Sequence, residues 1–526
     1  MFYKNGIRDT RVREYLPVQR IVWQQGCSHA EDLPGRMEIQ PGIDAPRVHT
    51  HLEIADGGGI LLDFRIELHG GIRLLSDLDG GARIRLRFGE SASEAMGTPD
   101  EDHAIHDTIL DIPKYGMLEY GSTAFRFVRI DAVRGNLCLL NVLAVAVFRD
   151  LEYAGSFESS DERLNRIWKT AAYTVHLNMQ DYIYDGAKRD RLVWMGDMNP
   201  EVRGILSVFR DTSLIPATLD FLRDRTPLPA MMNGIPSYSC WWVITICDYY
   251  RHSGNLAWLQ EQREYLTGLL PIFCSWVDEN GSEQIPAWRF LDWPNNDNPV
   301  TMHAGLQGLL FWTLKCGIEL GQVLDFDVSE LHRTLARMGK CLPDCAASKS
   351  AAAVQTLSGL ADRSDVILRD PFRGVSTFYG YYMLRAQPTA SALDLIRRYW
   401  GAMLDYGATT FWEDFDLDWL ENTSPVSELP VPGKKDLHAD FGNYCYKGLR
   451  HSLCHGWACG PAPFLSERVL GVKILAPGCR KLEIRPDLAG LDYVRGTFPT
   501  PHGVVRIEAE KDHLDISAPA GVEVVR

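Results

Sequence analysis

The hydrophobic period changes twice along the chain, and no other feature limits the fold so strongly. From Ala82 to Phe88 apolar and charged residues alternate, with Ile84, Leu86 and Phe88 on one face and Arg83, Arg85 and Arg87 on the other. That period of two describes a half-buried strand. Ile60 to Leu68 and Phe125 to Ile130 read the same way, and Gly57-Gly58-Gly59 and Gly80-Gly81 read as turns between strands. Many short strands with turn punctuation predict a β-sandwich over the first 154 residues. Near residue 155 the period lengthens. Ser159-Ser-Asp-Glu162 is a capping-box pattern, and Leu164, Ile167, Trp168, Ala171 and Val175 follow at helical spacing. Helical patterns continue over Pro200–Arg225, Trp241–Ser253 (stopped by Gly254), Thr301–Gly321, Ala390–Leu404 and Gly448–Leu470. A stretch of this length holds about twelve helices, with no visible internal repeat. Past Leu470 alternation returns: Val504–Glu510, a Lys511-Asp512 turn and Leu514–Ile516 predict a hairpin, with Val522–Val525 as a last strand. The polar, Pro-rich run from Asn422 to Lys435 reads as an inserted loop.

At 526 residues the chain is long enough for several cores. Its formal charge of −15 argues against nucleic acid and anionic membrane surfaces as partners. The longest apolar run, Leu137 to Phe148, contains Asn141 and is too short to cross a bilayer. The first residues hold no apolar signal-peptide core. Twelve cysteines are scattered, several inside apolar runs, and Cys341 and Cys345 form the one close pair, too little for a zinc site. These features together predict a cytoplasmic protein with reduced thiols, no metal and no cofactor; a homodimer is compatible with them.

Chemistry concentrates between Asp181 and Met198. Asp185, Asp190 and Asp197 stand there among Lys188, Arg189, Arg191 and Trp194, between a turn signal at Tyr184-Asp185-Gly186 and the helical pattern beginning at Asn199-Pro200. Such a loop either points several acids into one pocket or forms a surface ion-pair network.

The run from Asp185 to Asp197 resembles the signature loop of the bacterial α-L-rhamnosidases, glycoside hydrolase family 78. On that resemblance Asp190 is the general acid, kept protonated by burial and by the charges of Asp185 and Asp197, and Asp185, Arg189, Trp194 and Asp197 hold the sugar. Many family members carry glutamate where this chain has the shorter Asp190. Tyr406-Gly-Ala-Thr-Thr-Phe-Trp-Glu-Asp414 matches the family's general-base motif and implies that role for Glu413. His451-Ser-Leu-Cys-His-Gly-Trp457 is similar to the segment whose histidine contacts the sugar, which implies His455. Leu291-Asp-Trp-Pro294 and Ser237-Tyr-Ser-Cys-Trp-Trp242 imply aromatic walls at Trp293 and Trp242. Gly59–Gly71 with Arg87–Glu90, and Thr500–Gly503, resemble parts of the family's flanking β domains.

The resemblance thus implies a multidomain chain: an N-terminal β-sandwich (1–154), an all-α (α/α)6 barrel catalytic domain (155–470) and a small C-terminal β-sandwich (471–526). It implies an inverting hydrolase that releases terminal α-L-rhamnose from oligosaccharides or glycosides. Aspartate at position 190 leaves three accounts open: a loop that sits closer to the substrate, proton donation by Asp185 or Asp197, or a relative that binds sugar without cleaving it. Another (α/α)6 glycosidase, such as one acting on glucuronides, would want several inward arginines.

Overall fold

In the N-terminal region a single seven-stranded sheet accounts for the alternating sequence. The computed structural model describes residues 8–41, 51–76, 81–98, 106–444 and 446–526. The strands are β1 (Val12–Pro17), β2 (Arg20–Ser28), β3 (Leu52–Ser76), β4 (Arg83–Gly89), β5 (Asp107–Asp111), β6 (Gly116–Arg134) and β7 (Leu137–Phe148), in the order β1-β7-β3-β6-β4-β5 with β2 also paired to β3. Ile84, Leu86 and Phe88 are buried as the alternation requires. Arg87 is buried too, because its guanidinium reaches Asp107 at 3.2 Å and donates to the Glu94 carbonyl at 2.7 Å. Gly57-Gly58-Gly59 is not a turn between strands. It lies inside β3, where the register against β2 slips, and the positive φ of Gly57 (76°) lets the strand bulge and continue. Of the predicted Gly80-Gly81 turn, Gly80 lies outside the described residues. A short helix, α1 (Ala92–Met96), follows β4.

From residue 162 the structure is helical. The helices are α2 (Glu162–Asn178), α3 (Met195–Val208), α4 (Leu214–Arg225), α5 (Pro236–Ser253), α6 (Leu256–Glu261), α7 (Arg263–Ser275), α8 (Pro299–Leu324), α9 (Ser329–Met338), α10 (Lys349–Ser358), α11 (Ser364–Leu368), α12 (Thr377–Arg385), α13 (Thr389–Leu395), α14 (Gly401–Asp405) and α15 (Pro461–Phe464). A π-turn, Ile396–Trp400, joins α13 to α14. Leu164, Ile167, Trp168, Ala171 and Val175 all face the core from α2. Its cap is Asp161 rather than Ser159: the Asp161 carboxylate accepts from the N–H of Arg163 at 2.9 Å and of Leu164 at 3.3 Å. Gly254 ends α5 as expected, left-handed, with its N–H on the Tyr250 carbonyl.

Two helix expectations fail. Pro200–Arg225 is broken between Val208 and Leu214, and the first piece begins at Met195, with Pro200 carried inside it. Gly448–Leu470 is not one helix: only its last part, from Pro461, is helical beyond single turns, and His455 lies in extended backbone. Contacts among the helices close on themselves, running α2 to α3, α5, α8, α10, α12, α15 and back to α2. Among the described residues no helix is long and apolar enough to cross a membrane.

The C-terminal strands are β11 (Val472–Ala476), β12 (Lys481–Ile484), β13 (Tyr493–Thr500), β14 (Gly503–Glu510), β15 (His513–Ser517) and β16 (Glu523–Val525). The β14–β15 hairpin turns at Lys511-Asp512 as expected. One four-stranded sheet recruits β8 (Ser156–Ser159) from just before α2, in the order β15-β14-β13-β8; β11, β12 and β16 form a second sheet. The Asn422–Lys435 segment is tied down: Thr423–Ser424 (β9) pairs with Lys435–Asp436 (β10), the Val426 carbonyl accepts from Ala92 N–H at 3.0 Å, and Glu428 meets Arg20 at 2.7 Å. This segment therefore fastens the helical region to the N-terminal sheet.

Candidate active site

Three segments far apart in sequence run side by side at one end of the helical region. The central one is 452–456. On one side Gly186 bridges His455, Ala187 N–H donates to the Cys454 carbonyl at 3.1 Å, and Gly456 N–H to the Asp185 carbonyl at 2.7 Å. On the other side Glu413 N–H donates to the Ser452 carbonyl at 3.0 Å and His455 N–H to the Phe411 carbonyl at 2.9 Å. This backbone pairing brings the acid-rich loop and Glu413 to opposite flanks of His455.

Side chains complete the arrangement. His455 is buried, its Nε2 3.0 Å from Asp197 Oδ1 and its Nδ1 3.7 Å from Glu413 Oε1. Burial lowers the imidazole to about 4, against the pull of Asp185 and Asp190, so the ring is neutral at pH 7. Asp197 occupies the first turn of α3, and burial, with the Asp190 charge, pushes its carboxyl well above the ordinary range. Asp185 spends both oxygens on the loop backbone, accepting from Asp190 N–H at 3.0 Å and Leu192 N–H at 2.9 Å. Burial raises it to about 7, His455 opposing and Asp197 adding to the rise. Glu413 accepts from Ser452 N–H at 3.1 Å; burial drives it well upward, Ser452 and Arg189 oppose, and Asp185 and Asp190 add to the rise.

Asp190 departs from expectation. It is not buried: 31% of its side chain is exposed, Arg450 lies 3.9 Å away, and its carboxylate accepts no hydrogen bond from the described residues. The loop ends with its backbone committed to Asp185, which leaves the Asp190 side chain pointing to solvent.

Aromatic side chains wall the pocket beside Asp185, Asp197 and His455. Trp194 stands edge-on to Tyr238, Phe290 edge-on to Trp293, and Trp293 stacks on Tyr444 at 5.9 Å. Tyr446, Trp457 and the half-exposed Trp288 complete the wall. Two predicted contacts do not reach it. Trp242 is fully buried, its indole donating to the Leu219 carbonyl at 3.3 Å and its ring against Tyr265, so it belongs to the core between α4 and α5. Arg189 turns to the N-terminal region, pairing with Glu94 and donating to the carbonyls of Leu449 (2.8 Å) and His451 (2.7 Å).

Residues in and near the pocket escaped the sequence reading. Tyr238 lies in the same run as Trp242 but near the N-terminus of α5, the end that faces the site. Glu201 follows Asp197 by one helical turn, buried against Gly456, and burial and the charges of Asp197 and Asp185 raise it well above the ordinary range. Its i, i+4 spacing from Asp197 was a usable signal. Asp292, next to Trp293, accepts from Ser350 at 2.5 Å and Ser376 at 2.8 Å, and burial raises it to about 6.

Residues 152–306 match the sequence profile described as the bacterial alpha-L-rhamnosidase 6 hairpin glycosidase domain. No curated protein matches the chain. Among solved structures, the GH78 family rhamnosidase of Bacillus sp. GL1 is 22% identical, with a TM-score of 0.72 over 91% of this chain and 53% of that one. The Klebsiella oxytoca rhamnosidase with rhamnose bound is 21% identical, with a TM-score of 0.68 over 87% of this chain and 96% of that one. The α-L-rhamnosidase from Dictyoglomus thermophilum is 16% identical, with a TM-score of 0.76 over 98% of this chain and 59% of that one. The chain is thus similar to bacterial α-L-rhamnosidases, in sequence over 152–306 and in fold over most of its length, with a helical core flanked by β regions. It spans about half the length of the Bacillus enzyme.

Proposed function

We propose that the chain is an inverting glycoside hydrolase that releases terminal non-reducing α-L-rhamnose. The observation that carries this reading is the meeting of the Asp185–Asp197 loop and Glu413 across a neutral His455, beside an aromatic-walled pocket. Protonation of a leaving oxygen and activation of water need two carboxyl groups with different environments. Asp190 is solvent-accessible and accepts no hydrogen bond from the described residues, with Arg450 3.9 Å away, and suits the donor. Glu413 is buried and pushed well upward by burial, so its anion, held only by the Ser452 N–H, is a strong base toward water.

In the proposed step Asp190 gives its proton to the glycosidic oxygen as the bond to the anomeric carbon breaks. Water attacks that carbon from the opposite face while Glu413 takes the water's proton, giving β-L-rhamnose. Asp197 and the aromatic walls hold the sugar, and no metal or cofactor is required. None of the residues lining the pocket among those described is arginine or lysine, which favours a neutral sugar over a uronic acid. The closed cycle of helix contacts supports an (α/α)6 barrel for 155–470. In this reading β-sandwiches occupy 1–154 and 471–526, and β8, from just before α2, pairs with the C-terminal β13. Eleven described cysteines, all free thiols, support a reducing, cytoplasmic setting.

The test is hydrolysis of p-nitrophenyl α-L-rhamnopyranoside, with the first-formed anomer read by NMR. Asp190→Asn and Glu413→Gln are each expected to lower kcat by about 10²-fold or more. Activity retained in Asp190→Asn would move the donor to Asp185 or Asp197, and an α-anomeric first product would exclude inversion. Rhamnose binding without turnover in the wild type would favour a non-catalytic sugar-binding protein.

A further inference from the structure

Beneath the acid loop lies a buried charge cluster to which the proposed hydrolysis assigns no role. Its centre is Glu94 in α1, the short helix after β4. Glu94 Oε1 pairs with both Lys188 Nζ and Arg189 Nη2, and Oε2 accepts from Glu90 N–H at 2.6 Å. The side chains of Glu94 and Lys188 are wholly inaccessible, and that of Arg189 is nearly so. Ser91 caps α1 by accepting from Glu94 N–H at 3.1 Å; its hydroxyl also lies 2.7 Å from His438 Nδ1, whose Nε2 stands 2.8 Å from the His451 carbonyl. Arg189 spans from Glu94 to the Leu449 and His451 carbonyls, immediately before the central segment 452–456.

Lys188 and Arg189 are the two residues that precede Asp190. Held at one carboxylate, they fix the loop where its course toward Asp190 is decided, and the same network grips the strand of backbone against which that loop is paired. Buried cations tolerate no loss of their partner, because an unpaired charge away from water is strongly disfavoured. Burial alone would raise the Glu94 carboxyl, yet Arg189 and Lys188 hold it well below the ordinary range; Glu90, also buried, is pushed up to about 7 against the pull of Arg189. Glu94 is therefore the anion of the cluster.

We propose that Glu94 is a positioning residue for the acid loop: its carboxylate, supplied from the N-terminal region, holds Lys188 and Arg189 and thereby sets where Asp190 stands relative to Glu413. The helical region then does not carry a complete active site by itself. The kinetic consequence rests on Asp190 being the proton donor, whereas the structural consequence does not.

The test uses the full chain with Glu94→Gln, which keeps size and removes charge, and Glu94→Asp. Glu94→Gln is expected to lower kcat on the aryl rhamnoside by about 10²-fold, the scale of a misplaced catalytic group. The affinity for L-rhamnose, by titration calorimetry, is expected to stay within about threefold, because Glu94 touches no pocket residue. Hydrogen exchange of the Asp190 and Leu192 amides, which donate to Asp185, is expected to quicken by about tenfold or more. Glu94→Asp is expected to restore most of the rate. Unchanged exchange with kcat within threefold of wild type in folded Glu94→Gln overturns the proposal, as does an equal loss of kcat and rhamnose affinity with unchanged exchange. If Glu94→Gln does not fold, Lys188→Met replaces it, with faster exchange over residues 185–192 expected and unchanged exchange overturning. If the wild type shows no rhamnosidase activity, the exchange result still decides the positioning role, and the hydrolase reading falls separately.

Discussion

Gly186 offers the most direct test of how the acid loop is seated. It crosses the central segment at His455, and a Cβ built on it would lie 2.0 Å from the Arg189 carbonyl oxygen and 3.2 Å from His455 Nδ1. Cβ atoms essentially never approach closer than 3.0 Å, so Gly186→Ala forces the backbone at 186 and 189 apart by about 1 Å. The obstructing atom is backbone and cannot swing aside as a side-chain end could. Arg189 directly precedes Asp190, so the displacement passes to the proposed proton donor. A misplacement of about 1 Å costs on the order of 10²-fold in rate, and overpacking of this kind costs about 1–3 kcal/mol in stability. The assay is kcat on p-nitrophenyl α-L-rhamnopyranoside alongside urea unfolding. Gly339→Ala is the control, because its Cβ would meet nothing closer than 3.6 Å, and it is expected to leave kcat unchanged. A folded Gly186→Ala protein with kcat within threefold of wild type would refute the seating described here.

Asp185 predicts a pH dependence of stability. Its carboxyl titrates at about 7 in the folded chain, above the unfolded value of about 3.9, so its contribution is fully present below pH 4 and is lost as pH rises to 7. The urea midpoint of wild type relative to Asp185→Asn should therefore fall between pH 4 and 7, by at most roughly 4 kcal/mol, and stay level above pH 7. A difference that is flat across that range would contradict it. His455, lowered to about 4, acts with the opposite sign over a similar range, which is why the comparison must be between variants. The two tryptophans should separate cleanly. Trp293→Ala removes a pocket wall and is expected to raise KM about tenfold with modest effect on stability. Trp242→Phe leaves KM unchanged and costs about 1–3 kcal/mol in urea unfolding.

Much of this architecture is legible in the chain because period and punctuation are local. The alternation at Ala82–Phe88, the α2 face and the Gly254 stop each follow from residues within one turn or strand of one another. The failures have physical causes that local pattern does not carry. Gly57 looks like a turn residue, but a positive φ serves a bulge equally well. Pro200 reads as a helix start, although α3 begins five residues earlier and carries Asp197 into its first turn. Trp242 and Tyr238 lie on one helix, and only the helix direction tells which faces the site. Arg189 among aspartates looks like a sugar clamp, yet the carboxylate it answers lies 95 residues away, in α1. Long-range partners of that kind are invisible to spacing.

Asp190 was expected to be buried, and its exposure bears on which acid can donate. Asp185, Asp197, Glu201 and Glu413 are all buried near the 452–456 segment, and each is pushed upward by burial, three of them further by a neighbouring carboxylate within this group and Asp197 by Asp190. Such a group shares its protons, so removing one member redistributes charge over the others and single substitutions there will not add. A proton donor has a further requirement: it must recover a proton from water once per turnover. Asp185, with both oxygens held by backbone N–H groups, and Asp197, held by His455, are poorly placed for that exchange. Asp190 has access to water and no hydrogen bond to break. Exposure in the unliganded chain is what would let an Asp190 donor reload from water.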